Sequence, residues 1–312
     1  MKNFQKIDKE EYKELLEKIK FKTFFHSLEW LNFLEKEFSW LEFEYYLYKN
    51  LVLVFGKIGN KLISLPFCEY GGPLIVNGEI DFNDFEKSIS EFKNFKIKFH
   101  PGVFYNKQSD VSTHFLYLGD KSEKELFNSF RKTLKHSIQN ANKDIKIKKC
   151  SNLKELKQFY NLYLKNLKRK KTVPYPFSIF KFLFDKSDIL LAYYKGKIIS
   201  GDLFLEYHGF VHYFFSASDF RFKNLGASYL ILWEKIKSLI GKDIVLDFGA
   251  APKGSALETF KRGWRGKEYP IVQLGIKRSQ EKLRSSGLRN IYALLPNFVI
   301  KKISKKLIKY RL

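Results

Sequence analysis

Tyr12, Leu15, Leu16 and Ile19 recur at helical spacing, and Asp8 and Glu11 ahead of them make a capping pair, so the apolar pattern predicts a first helix running to about Lys20. Ser27 caps a second helix, with Leu28, Leu31, Leu34 and Phe38 on one face and Trp30 off the centre of that stripe. The pattern then changes to strand-like runs at residues 41–48, 51–58 and 62–65, separated by Lys49-Asn50 and Gly59-Asn60, which make a three-stranded meander. The stretch from Pro66 to Pro73 is turn-rich; its aromatics and adjacent glycines either line a cleft or form a rigid loop. A helix over 81–92 and strands over 95–99 and 114–118 follow, and Gly119-Asp120 closes the unit.

The second half repeats the plan. Ser122 and Glu125 form a capping box ahead of one long helix carrying Leu126, Phe127, Phe130, Leu134 and Ile138. A strand at 145–149 precedes a helix capped by Ser151, with Leu153, Leu156, Tyr160, Tyr163, Leu164 and Leu167, and 179–184 is helical. Strands at 189–194, 198–207 and 210–216, turned at Lys195-Gly196 and His208-Gly209, form a second meander that feeds an apolar helix over 221–240. DIVLDFG, ending at Gly249, reads as a buried strand; 250–255 is broken by Pro252 and Gly254, and a short helix then carries Leu257, Phe260 and Lys261. The expected fold class is α+β, with two copies of one plan at 1–119 and 120–295 and a basic amphipathic helix at 296–312, although no motif recurs residue for residue between the halves.

Composition supports this picture and adds a partner. The 312 residues are 45% hydrophobic and 17% aromatic, ample for one large domain or two smaller ones. A net charge of +24 calls either for an anionic partner (nucleic acid, a phosphorylated substrate, an acidic membrane) or for a lysine-rich solvated surface. The charge is uneven: residues 131–171 hold fourteen Lys and Arg against only Asp144 and Glu155. Lys168, Arg169, Lys170 and Lys171, just before a loop stiffened by Pro174 and Pro176, are the candidate polyanion-binding run. Cys68 and Cys150 have neither disulfide-framework nor metal-site spacing. No apolar run approaches the ~18 residues of a spanning helix, and the first residues lack a secretory core, so a cytoplasmic protein is expected. The stripe Ile300, Ile303, Leu307 and Ile308, with six Lys and Arg from Lys301 onward and no acid, suits the chain's own fold or peripheral contact with an anionic membrane at its inner face.

The candidate chemistry centres on the later half. Arg221-Phe222-Lys223-Asn224-Leu225-Gly226-Ala227 opens an apolar helix, and small residues there let backbone N–H groups meet an anion that the helix dipole also favours. The spacing resembles the Arg-x-x-Gly-x-Gly/Ala pyrophosphate loop of the GNAT acyltransferase superfamily, with Asn224 in place of its first glycine. Further motifs recur in order: Lys170-Lys171-Thr172-Val173-Pro174, Ser200-Gly201, Asn224-Leu225-Gly226-Ala227, Leu246-Asp247-Phe248-Gly249 and Phe260-Lys261-Arg262-Gly263-Trp264. That ordered set, together with Phe25-His26-Ser27-Leu28-Glu29-Trp30 near the start, resembles the FemAB-like branch of the superfamily over nearly the whole chain. The resemblance implies two tandem GNAT-like domains, each a mixed, mostly antiparallel sheet flanked by helices, with an acceptor cleft between or beside them. It also implies an N-acyltransferase that moves an acyl group or an amino acid onto an amine of a cell-envelope precursor, peptidoglycan or polysaccharide. No tightly bound cofactor is implied; the anionic donor is a coenzyme A thioester or an aminoacyl-tRNA, and no DNA partner is expected.

By the same resemblance Lys261 is the lysine of the Phe-Lys-x-Gly-[Phe/Trp] motif and stabilises the tetrahedral intermediate; oxyanion stabilisation of this kind contributes roughly 3–4 kcal/mol. Arg221, Asn224, Gly226 and Ala227 are assigned to the donor, and Trp30, Tyr70, Asp247, Gly249, Phe260, Arg262 and Trp264 to the acceptor cleft. A basic residue that some members place one turn into the Trp30 helix is Leu34 here, which bears on the identity of the acceptor. Asp202, Glu206, His208 and His212 fall on or near adjacent strands, with nothing in the sequence to make them a dyad. Two rival readings are an ordinary acetyl-CoA-dependent acetyltransferase and a non-catalytic RNA- or polyanion-binding protein on the same fold.

Overall fold

The computed structural model describes residues 3–101, 107–276 and 295–310. The chain begins with β1 (Gln5–Ile7), α1 (Lys9–Lys18) and α2 (Leu28–Glu37). The predicted caps hold: Glu11 N–H donates to Asp8 at 2.9 Å and Trp30 N–H to Ser27 at 3.2 Å. The first meander is β2 (Glu42–Tyr48), β3 (Leu51–Ile58) and β4 (Lys61–Ser64), followed by β5 (Leu74–Ile75), α3 (Phe82–Ile89), β6 (Phe95–Lys98) and β7 (Val111–Tyr117).

The single long helix expected after Ser122 is two helices, α4 (Glu123–Ser129) and α5 (Lys132–Gln139). Phe130 and Arg131 are extended between them: Phe130 packs edge-on against Trp264, and Arg131 N–H pairs with the Gly263 carbonyl at 3.1 Å instead of continuing the helical ladder. After β8 (Lys146–Lys149), the cap of α6 (Leu153–Arg169) is Asn152 rather than Ser151, which instead donates its N–H to Glu155. Then come α7 (Phe177–Leu183), β9 (Asp188–Tyr194), β10 (Lys197–Tyr207), β11 (Phe210–Ser218), α8 (Ala227–Leu239), β12 (Val245–Asp247), β13 (Ala251–Pro252), α9 (Ala256–Arg262), β14 (Lys267–Pro270), β15 (Gln273–Gly275) and α10 (Asn297–Leu307).

Among the described residues two sheets form. The first runs β1-β2-β3-β4-β6-β15, with β5 on β3; the second runs β13-β7-β12-β11-β10-β9-β8, with β14 on β7. Both are mixed and mostly antiparallel, the parallel pairs being β4 with β6 and β11 with β12. The halves exchange strands: β7 precedes Gly119 yet pairs in the second sheet, and β15 pairs in the first. A boundary at Gly119 therefore leaves one strand of each sheet on its far side.

The largest core also spans both halves, joining α1, α2 and the first meander to α6, α7 and the second. Phe33 stacks on Phe182 at 3.9 Å and Phe25 packs edge-on against Phe214 at 4.9 Å across that seam. Such a continuous apolar interior makes the two sheets one stable frame for anything placed at their junction. The expected basic helix α10 is present, and its apolar side belongs to this core: Ile300, with Ile308 just beyond it, is buried there, and Lys305 pairs with Glu37 at 3.1 Å. Among the described residues no helix is long and apolar enough to cross a membrane.

Candidate functional site

β11 and β12 run parallel and pair at Phe210 with Val245, Val211 with Leu246 and His212 with Asp247; β11 then continues to Ser218 while β12 ends. The two strands part just beyond His212 and Asp247. Polar groups from several segments meet there: His212 and Thr113 are placed by strand register, Glu69 and Tyr70 by the loop after β4, and Lys261 by α9.

Asp247 is fully buried and accepts four hydrogen bonds. His212 Nδ1 donates to one oxygen at 2.5 Å, joined by the Tyr70 hydroxyl; Gly249 N–H donates to the other at 2.8 Å, joined by the Thr113 hydroxyl. Burial alone would raise its pKa, but His212, Thr113 and Tyr70 together hold it below the ordinary carboxylate value. Burial works against a charged His212, yet Asp247 and, more weakly, Glu69 keep its pKa above the usual one. The opposite nitrogen, Nε2, faces Glu69 at 3.8 Å. The ring of Tyr70 packs edge-on against that of His100, which burial pushes down to about 4 and so keeps neutral near pH 7. His26 lies beyond, its Nδ1 accepting from Thr23 N–H, and is held neutral in the same way.

Lys261, on α9, reaches the turn after β12. Its ammonium donates to the carbonyls of Gly249 at 2.8 Å and Ala250 at 3.0 Å. Burial lowers its pKa against the pull of Glu69 and Asp247, and the charge of Lys170 lowers it further. Glycine is required at 249 for two reasons: φ is +76°, and a Cβ there would lie 2.6 Å from the Glu69 carboxylate, which accepts Ala250 N–H. Glu69 opens onto a cleft of about 180 Å³ between the sheets, lined also by Tyr175, Ala250 and Gln273. Cys68 lines it too, but burial pushes that thiol up to about 12 and it donates to two carbonyls, so it is no thiolate nucleophile.

Of the residues singled out from sequence, Tyr70, Asp247, Gly249 and Lys261 converge at this junction. Trp30 and Trp264 do not line a cleft: both are fully buried, the first among Phe24, Phe25, Phe33 and Phe182, the second against Phe130 and Phe248. Arg262 points outward and pairs with Glu258. Phe260 lines a separate cavity of about 200 Å³ between α5, α8 and α9, with Arg131, Thr133, Ser137, Tyr229 and Thr259. In the helix start assigned to the donor, Arg221 is exposed and bound to Asp219 at 2.6 Å, and Asn224 is exposed. Gly226 and Ala227 are buried, and the loop after α5 covers them: Asn142 N–H pairs with the Leu225 carbonyl. Lys168 donates to the Leu295 carbonyl at 2.9 Å, and the Arg169 guanidinium lies over the Phe220 ring at 4.4 Å. Glu69, Thr113, His100 and the partnership of His212 were not singled out; alternation along 210–216 gave no sign that His212 faces another strand's aspartate.

The covered helix start carries its own prediction. Gly226 has φ +75°, and a Cβ there would meet the Ala141 Cβ at 2.8 Å, so Gly226→Val should destabilise the fold itself, by roughly 1–3 kcal/mol or more. Chemical denaturation checks this; a variant of wild-type stability would mean that the loop after α5 moves aside readily.

Residues 128–262, ending one residue past Lys261, match the family model of the acetyltransferase (GNAT) domain. No curated protein sequence matches the chain. Among solved structures, the crystal structure of FemX superposes with a TM-score of 0.60 at 13% identity, over 90% of this chain and 99% of that one. L-PGS from Bacillus licheniformis gives 0.53 at 14% identity, over 90% and 95%. A tandem GNAT protein from the clavulanic acid biosynthesis pathway gives 0.52 at 7% identity, over 88% and 99%. The resemblance to the FemAB-like branch thus holds for the fold over nearly the whole chain, and the GNAT signal falls on the half that holds Asp247 and Lys261.

Proposed function

From a tandem GNAT fold whose second half carries an acetyltransferase (GNAT) domain, we propose that the chain transfers an acyl or aminoacyl group from an anionic donor to an amine of a peptidoglycan or polysaccharide precursor, at the junction of its halves. The observation that carries this reading is the meeting of a buried lysine, a buried Asp–His pair and a cleft-facing carboxylate where β11 and β12 part. Amine attack on an ester or thioester puts negative charge on the carbonyl oxygen. Two of the three ammonium protons of Lys261 fix the Gly249–Ala250 turn, and the third is left for that oxygen in a site with little water. Cys68 supplies no thiolate for an acyl-enzyme, and in this reading the amine attacks the donor directly. Incubating the protein with acyl-coenzyme A thioesters and with aminoacyl-tRNAs, in the presence of amino sugars and amino-terminated peptides, should give an amide detectable by mass. No amide from any pairing would sink the reading.

The donor is approached through the basic run. Its Lys170 is close enough to influence Lys261, so phosphates of a tRNA donor would lie along Arg169, Lys170 and Lys171, while Lys168 is used on the chain itself. Replacing those three residues with serine should then make the dependence of log affinity on log salt shallower by roughly 2–3 in total, at ~0.7–0.9 per contact. An unchanged slope would make this charge a solvated face.

A further inference from the structure

The cleft beside Ala250 has one carboxylate among its lining residues, Glu69, and that side chain is 31% exposed where Asp247 and His212 behind it are 0% and 2%. Of the three groups, Glu69 is the one a substrate can touch. We propose that Glu69 receives the acceptor as an ammonium ion and takes a proton from its nitrogen, so that the acceptor is a primary amine protonated in solution; this rests on the acyl-transfer reading.

The carboxylate is built in from both halves. Its loop follows β4 of the first sheet, its Oε2 accepts Ala250 N–H from the second half, and Gly249 leaves the space it occupies. His212 Nε2 stands 3.8 Å behind it, and the other ring nitrogen is held by Asp247. His212 is thus a positioning residue: an imidazole pinned between two carboxylates, one buried and one at the cleft. The charged and titratable groups around this pair are Asp247 from β12, Lys261 from α9, Cys68 and Tyr70 from the loop of Glu69, His100, and, lining the same cleft, Lys96 and Lys98 from β6 and Tyr175; the rings of Phe25 and Phe214 close the apolar side of His212. A cleft of about 180 Å³ has room for the amine-bearing end of a larger acceptor.

The ammonium gives one proton to Glu69, which frees the nitrogen lone pair. The pair attacks the acyl carbon, the N–C bond forms and the bond from carbon to the donor's oxygen or sulfur breaks. The second proton shed by nitrogen passes to the leaving oxygen or sulfur, and Glu69 returns its proton to solvent in the cleft.

The test compares two acceptors, propylamine, an ammonium ion at neutral pH, and hydroxylamine, which is not, with acetyl-coenzyme A and alanyl-tRNA as donors. Glu69→Gln keeps the size of the side chain and an acceptor for Ala250 N–H. It should lower kcat with propylamine about 100-fold or more at neutral pH, the usual weight of a positioned base, while hydroxylamine reacts near the wild-type rate. The propylamine deficit should shrink as pH rises and the free amine becomes abundant. Near-normal transfer to hydroxylamine also proves the variant folded. Equal slowing with both amines, with wild-type melting temperature, overturns the proposal in favour of a structural role, and no slowing with either overturns it outright. Failure of the wild type to use any donor with either amine overturns the acyl-transfer reading and this proposal with it.

Discussion

Lys261→Ala should lower the maximal rate of transfer by about 100-fold or more while changing donor affinity little, because the charge it meets develops only in the transition state. The structure strengthens this expectation, since the same ammonium ties the carbonyls of Gly249 and Ala250, and losing it frees the turn that fixes Glu69 through Ala250 N–H. Lys261→Met, which keeps the length of the stem, should restore packing but not rate. Single-turnover kinetics beside donor titration separate the two effects. A variant that turns over like the wild type would remove Lys261 from the mechanism.

Asp247→Ala should be the most damaging substitution for stability. It leaves the donors of Tyr70, Thr113, His212 and Gly249 unpaired in the interior, at a cost of roughly 3–5 kcal/mol, or a fall of roughly 5–8 °C in Tm for a chain of this length. Asp247→Asn keeps most of the shape and removes the charge, so its effect should depend on pH. The folded pKa of Asp247 is depressed, so its contribution is present above the unfolded value near 3.9 and is lost as pH falls through the lower folded value. The folded pKa of His212 is raised, so its contribution is complete below the unfolded value near 6.5 and is lost as pH rises through the higher folded value. The charged pair therefore stabilises most between about pH 4 and 6.5, and Asp247→Asn should cost more at about pH 5.5 than at about pH 8.5. Denaturant unfolding at both values checks this; an equal loss would mean that His212 is not charged in the pair.

Much of the frame could be read from the apolar pattern, because strong local signals coincide with burial. Both meanders and the Asp8 and Ser27 caps stand where the pattern places them, and the strand expected over 243–249 is present, shortened to Val245–Asp247. The exchange of β7 and β15 could not be read: a three- or seven-residue strand carries no mark of which sheet completes it, and both pairings are long-range. The break at Phe130 was hidden for a similar reason, since its apolar spacing fits a continuous helix and only the ring of Trp264 and the Gly263 carbonyl, distant in sequence, pull the chain out of it. At the site, Asp247, Gly249 and Lys261 were legible because they sit in two neighbouring motifs of the ordered set. Glu69, Thr113 and the pairing of His212 were not, because their partners lie 181, 134 and 35 residues away and meet only in the folded chain, Thr113 and His212 through strand register and Glu69 through the loop after β4. Trp30 and Trp264 were assigned to the cleft as conspicuous aromatics of a resembled motif, yet each is surrounded by apolar rings and serves the core.

The central claim, that acyl transfer takes place at the junction built on Asp247 and Lys261, is tested most directly by mass-spectrometric detection of amide in a single turnover with isotopically labelled donor. Wild type and Asp247→Asn are compared at about pH 8, with denaturant unfolding used to establish that both are folded. The account predicts labelled amide from the wild type and about 100-fold less from Asp247→Asn at unchanged donor affinity, the scale of losing one positioned group. Equal amounts of amide from the two proteins would contradict it.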